Sequence, residues 1–85
     1  MKLYLVIAMR TAQFNPDTVG PHKAFLQALD ADGKLQVTGG FSDGTGGAYV
    51  LRNVDSLAEA NALVAADPLA IDGSSQFTVH EWNTR

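Results

Sequence analysis

The sequence predicts a single α+β domain of order βαββαβ, with two helices packed on one face of a four-stranded antiparallel sheet. Three observations carry that expectation. Four stretches alternate with the two-residue period of strands, while two others repeat apolar residues at helical spacing. Turn-forming clusters separate them, one of which joins two strands directly as a hairpin. The chain has 85 residues, 46% of them hydrophobic and none of them cysteine, which leaves room for one core and one domain over residues 1–85. A domain of this size buries only about 60–65% of the surface its unfolded chain exposes. Without disulfides, extra burial through self-association is expected.

Lys2 to Arg10 reads as a strand, with Leu3, Leu5, Ile7 and Met9 on one face and Tyr4, Val6 and Ala8 on the other. Both faces are apolar, which places it centrally in the sheet and covered on both sides. Asn15-Pro16-Asp17 then marks a loop. A helix begins between Asp17 and Pro21, since Asp17 or Thr18 can cap it and proline is tolerated only in a first turn, and it ends at Gly33. His22, Phe25, Leu26 and Leu29 share one face of it, so the histidine lies in line with the stripe that docks on the sheet. Lys34 to Phe41 gives a second strand and Gly46 to Val54 a third, with Tyr49 and Leu51 opposite Ala48 and Val50. Ser42-Asp43-Gly44-Thr45 is the hairpin loop between them. Ser56-Leu57-Ala58-Glu59 is a capping box that opens a second helix. Asp67-Pro68 stops that helix, because a residue before proline is pushed out of the α region. After the turn Asp72-Gly73-Ser74-Ser75, Gln76 to Asn83 forms the last strand, with Phe77 and Val79 opposite Thr78, His80 and Trp82. This order is the ferredoxin-like split unit. Its two helices cover one sheet face and leave the other bare, so a second copy of the sheet is expected there, in a two-fold homodimer with an enclosed interior.

Nine acidic residues against six basic ones give a net charge of −3 and no sequence-wide attraction for phosphate backbones or anionic lipid. Neither nucleic acid nor membrane is expected as a partner. The apolar run Leu3 to Met9 is too short to span a bilayer or act as a secretory signal, and a cytoplasmic protein is expected. The glycine-rich stretch Gly39 to Gly47 lacks the Gly-Lys-Ser/Thr ending of a phosphate loop and leads into a strand, so its glycines are read as hairpin and bulge residues. Asp30-Ala31-Asp32-Gly33 lacks the closing glutamate of a calcium loop. His22 and His80 lack metal-ligand spacing, and no metal is expected. With no cysteine, and serines only in turns or at a cap, covalent catalysis is not indicated.

His22 lies near a helix start on a core-facing stripe, where an imidazole is partly removed from water; the plain alternative is a core histidine bonded to backbone. Asp67 has an equally plain alternative as a helix-ending residue whose carboxylate bonds nearby amides. The two gain weight together. Pro21-His22-Lys23-Ala24-Phe25-Leu26, Gly33-Lys34-Leu35 with Thr38-Gly39-Gly40, Ser56-Leu57 through Glu59-Ala60, and Ala66-Asp67-Pro68 resemble the YciI-like (YCII-domain) family in order and spacing across most of the chain. The sequence departs from that pattern at Gly40, where a proline is usual, and at Leu69, where an aromatic residue is common. The resemblance implies a dimeric ferredoxin-like α+β barrel, related in architecture to muconolactone isomerases and cofactor-free monooxygenases. It also implies a histidine-aspartate site, here His22 and Asp67, with lyase or dehydrochlorinase-type chemistry on small, often aromatic, compounds and no cofactor.

In such a dyad the carboxylate fixes the imidazole tautomer and stabilises the imidazolium, leaving the second ring nitrogen to move a substrate proton. Arg10, at the end of the first strand, is a candidate to neutralise an anionic substrate or an enolate, with Arg52 second to it. Gly39 and the hydroxyl of Ser42 complete the candidate substrate contacts, while Tyr49 and Trp82 read as packing residues. The expected function is a small cofactor-independent lyase or isomerase acting on a small molecule. The alternative is a non-catalytic ligand-binding or interaction module, favoured if His22 and Asp67 stand too far apart to bond directly or through one water.

Overall fold

A computed structural model describes residues 1–85. Its elements are β1 (Lys2–Arg10), α1 (Val19–Ala31), β2 (Leu35–Gly40), β3 (Gly46–Leu51), α2 (Leu57–Val64), α3 (Pro68–Ile71) and β4 (Ser75–Asn83), with one 3₁₀ turn over Pro16–Thr18 before α1. The strands form one antiparallel sheet in the order β2-β3-β1-β4. The architecture is the α+β order read from the sequence, with β1 central.

The helix starts differ from expectation in instructive ways. Thr18 holds the N-cap position of α1 as expected but makes no capping bond, its hydroxyl donating to Asp72 instead, while Asn15 caps the 3₁₀ turn before it, its side-chain oxygen accepting from Asp17 N at 3.0 Å. Asp67-Pro68 does more than stop α2, which already closes at Val64. Proline has no amide hydrogen to leave unbonded in a first turn, and extended Asp67 accepts from Leu69 N at 2.9 Å, so the same pair starts α3. The forward half of the capping box holds as read, with Ser56 Oγ accepting from Glu59 N at 3.1 Å, whereas Glu59 accepts from Asp55 N, one residue ahead of the cap. Gly33 ends α1 at φ +73°, the left-handed backbone that glycine adopts freely.

Strand register assigns the faces. Tyr4, Val6 and Ala8 pair with Leu51, Tyr49 and Gly47 on one side and with Glu81, Val79 and Phe77 on the other, all facing the helices. The core joins Tyr4, Val6, Tyr49 and Leu51 to Leu26 and Leu29 of α1 and to Val54, Ala60 and Val64 around α2. Each fully buried aliphatic side chain of this kind stabilises the fold by about 1.5–3 kcal/mol. The opposite face carries Leu5, Ile7 and Met9 beside Val37 and Trp82, and there Val37 is 59% and Trp82 46% exposed.

One row across the helix-facing side of the sheet is nearly empty of side chains. Register aligns Phe77, Ala8, Gly47 and Gly40, so beyond Phe77 nothing larger than a methyl group rises from three adjacent strands. A Cβ at Gly47 would sit 2.5 Å from Gly39 O, which leaves no room for a larger residue. At the other end of β1 and β4 the chain ends meet, with Thr84 N donating to Met1 O at 2.9 Å. No helix is long and apolar enough to cross a membrane.

Candidate active site

The bare row is the floor of a cleft of about 300 Å³. Its walls come from Val19, His22 and Leu26 of α1, Leu69 of α3 and Tyr49 of β3, with Arg10 and Phe14 at the side. His22 stands in the first turn of α1 one place after Pro21, and Leu26, four residues on, anchors the same face in the core. Asp67 is placed by its role as the cap of α3 and is fully buried.

His22 Nδ1 lies 2.9 Å from Asp67 Oδ1 and 3.0 Å from Oδ2. Oδ1 also accepts from Leu69 N at 2.9 Å, and Oδ2 accepts from the Tyr49 hydroxyl at 3.0 Å. An ionised carboxylate has no hydrogen to give, so both Nδ1 and the phenol must donate to it. Burial holds the Tyr49 phenol far above its usual value, and the negative charge and hydrogen bond of Asp67 push it in the same direction, so the hydroxyl keeps its proton. With Nδ1 committed as a donor, Nε2 is the basic nitrogen of the neutral ring. It has no protein partner, and the side chain is 17% exposed, open to the cleft. The Tyr49 ring is fixed by edge contacts to Phe25 and Phe77, each with centroids 6.4 Å apart.

The structure brings His22 and Asp67 into direct contact across 45 residues of chain. Arg10 lines the cleft, its guanidinium carbon 4.1 Å from the centre of the Phe14 ring. Gly39 reaches the cleft only through its backbone, because register points its Cα hydrogens to the opposite face beside Ala48. Ser42 lies outside the lining: β2 ends at Gly40, and the turn carries the serine into solvent beyond the mouth. Arg52 is also elsewhere, donating from Nε to Gly33 O at 3.2 Å and thereby tying β3 to the end of α1. Sequence reasoning gave Tyr49 a packing role only. A buried tyrosine hydroxyl needs a partner, which is the signal that could have linked it to a buried acid. Phe14, Lys23, Thr38 and Ser75 also line the cleft, and no periodicity marks them.

Comparison with known proteins matches residues 3–83 to the YCII-related domain. The uncharacterised protein YjpA of Bacillus subtilis (strain 168) is 47% identical over 85 residues, covering 100% of this chain and 99% of that protein. Among solved structures, 5-chloro-2-hydroxyhydroquinone dehydrochlorinase (TftG) of Burkholderia phenoliruptrix AC1100, in complex with 2,5-dihydroxybenzoquinone, is similar at TM-score 0.77 and 26% identity. The superposition covers 95% of this chain and 93% of that one.

Proposed function

The chain belongs to the YCII-related domain family, and from that premise we propose that it is a small cofactor-independent enzyme that moves protons on a small, ring-containing molecule. The observation that carries this is the His22–Asp67 contact at 2.9 Å, with the second imidazole nitrogen left free at the cleft wall. In this scheme Nε2 takes a proton from the substrate. In an elimination, the electron pair of the broken bond to hydrogen forms a new double bond as the leaving group departs with its own pair. In an isomerisation, His22 returns the proton at another atom. Asp67 holds the ring through Nδ1 and stabilises the imidazolium between these steps. The dehydrochlorinase activity named for TftG supports elimination as the reaction class.

The same scheme includes a homodimer built through the open sheet face, where Trp82, Val37 and Met9 are the exposed apolar groups. A monomeric mass in sedimentation at micromolar concentration overturns that part.

The test is a panel of hydroxylated and halogen-substituted aromatic compounds and lactones, followed by ultraviolet absorbance and chloride release, on the wild type and His22→Ala. The variant is expected to fold, since Asp67 keeps the Leu69 amide and the Tyr49 hydroxyl as donors. Turnover should fall by about 10²–10⁴-fold. Turnover within a few-fold of wild type removes His22 from the chemistry. A ligand that stabilises the protein without any turnover would favour the binding-module alternative.

A further inference from the structure

We infer that the cleft selects an anionic substrate, a flat apolar body bearing a carboxylate or acidic hydroxyl, which Arg10 and Lys23 bind and orient against His22. This deepens the proton-transfer scheme, which is silent on substrate charge. The first support is the sign of the lining. Arg10 and Lys23 are its charged residues and no aspartate or glutamate is among them, although acids outnumber bases nine to six along the chain. Asp67, the acid bonded to His22, is fully buried and its oxygens are saturated by donors.

The second support is that both cations are uncommitted. The ion pairs of the fold are Lys2–Glu81, His22–Asp67 and Lys34–Glu59, so neither Arg10 nor Lys23 is neutralised from within. Arg10 nevertheless has a defined position. Its guanidinium carbon lies over the Phe14 ring at 4.1 Å, a contact that consumes none of its N–H donors, so they remain available to a two-oxygen acceptor. Phe14 is itself held, because the segment around it is bonded at Thr11 N to Ser74 O at 3.0 Å and at Asn15 N to the hydroxyl of buried Ser74 at 3.1 Å.

The third support is shape. The floor of Ala8, Gly47 and Gly40 offers backbone and one methyl group, a surface on which a planar ring lies flat, with Leu26 and Leu69 as apolar walls. An anion fixed at Arg10 places such a ring beside His22, and the same cation lowers the energy of the negative charge that appears when Nε2 removes a proton. Arg10 thus serves as a binding and orienting group, with Lys23 as a second, more mobile one.

The test uses benzoate and benzamide, which share a ring and differ in charge, titrated at pH 7 and low salt by calorimetry and by NMR of the Arg10 Nε–H and His22 ring signals. Wild type should bind benzoate about 10- to 100-fold more tightly than benzamide, with both signals shifting. The preference should shrink in 0.5 M NaCl (about 4–5 Å of screening length). Arg10→Gln and Lys23→Gln together should erase it, benzoate affinity falling to that of benzamide. Lys23→Gln alone changes only an exposed helical side chain and guards against a folding defect in the double variant. Equal affinities in wild type, no binding of either compound, or a preference that survives the double substitution each overturns the inference. If the preference holds while His22→Ala retains turnover, the proton-transfer scheme falls and the anion site stands.

Discussion

Replacing Tyr49 by phenylalanine isolates one hydrogen bond of the buried cluster. The ring keeps its contacts with Phe25 and Phe77, and Asp67 Oδ2 keeps His22 Nδ1 at 3.0 Å, so no buried acceptor is orphaned. What is lost is a hydrogen bond from a neutral phenol to a buried carboxylate, about 1.5–3 kcal/mol. In a domain of this length that lowers Tm by roughly 6–24 °C. Alkaline pH provides an independent check. The folded-state phenol is raised above its ordinary value of 10.0, so its contribution is complete below that value and is lost as pH rises, when the unfolded chain ionises first. The stability gap between wild type and Tyr49→Phe should therefore close by about 1.4 kcal/mol on reaching pH 11. Tyr4, also raised by burial, is present in both proteins and cancels. Urea denaturation at fixed protein concentration from pH 7 to 11 measures both quantities. A gap below about 0.5 kcal/mol at pH 7, or one that stays constant above pH 9, would refute the reasoning.

Two further outcomes follow from the floor and from the turn that closes it. Gly47→Ala forces its methyl group to 2.5 Å from Gly39 O and should destabilise by about 1–3 kcal/mol, whereas Gly40→Ala, with 3.9 Å to its nearest neighbour, should leave thermal stability nearly unchanged and weaken ligand binding. Equal thermal melts for the two variants would sink the account of the floor. Asp72 is held below the usual carboxylate range first by the Thr18 hydroxyl and then by Ser74, so its contribution exists above the ordinary value of 3.8 and fades as pH falls. Thr18→Val should lose stability at pH 7 and converge on wild type only as pH falls through 3.8 and below in denaturant titrations; a gap independent of pH contradicts this.

Period and punctuation made most of the fold legible. β1 spans Lys2–Arg10 as its alternation indicates, and Ser56 to Glu59 starts α2 by a bond between neighbours in sequence. The one-turn helix α3 was hidden because a proline that ends one helix satisfies the steric terms for beginning another, and the local sequence looks the same in both cases. Helical spacing put His22 on the inner stripe, while its link to Asp67 needed the resemblance, since nothing within either segment points to the other. Tyr49 was half legible: its strand position showed that it is buried, and its hydroxyl partner lies 18 residues away. The cleft floor was illegible for a different reason. Ala8, Gly47 and Gly40 become one row only through the pairing of three strands, and that pairing includes a register shift between Leu35 and Val37.

The meeting of Met1 with Thr84 separates two concerns that small proteins often have to reconcile. β1 and β4 run antiparallel, so their paired ends Lys2 and Asn83 lie far from Arg10 and Ser75, the ends that border the cleft. Anything joined to either end therefore grows away from the cleft mouth. A short linker can also close the chain on itself, freeing the exposed Ser42–Thr45 hairpin to supply new ends. The unit can thus be fused at its ends or doubled in tandem with His22, Asp67 and their surroundings left in place.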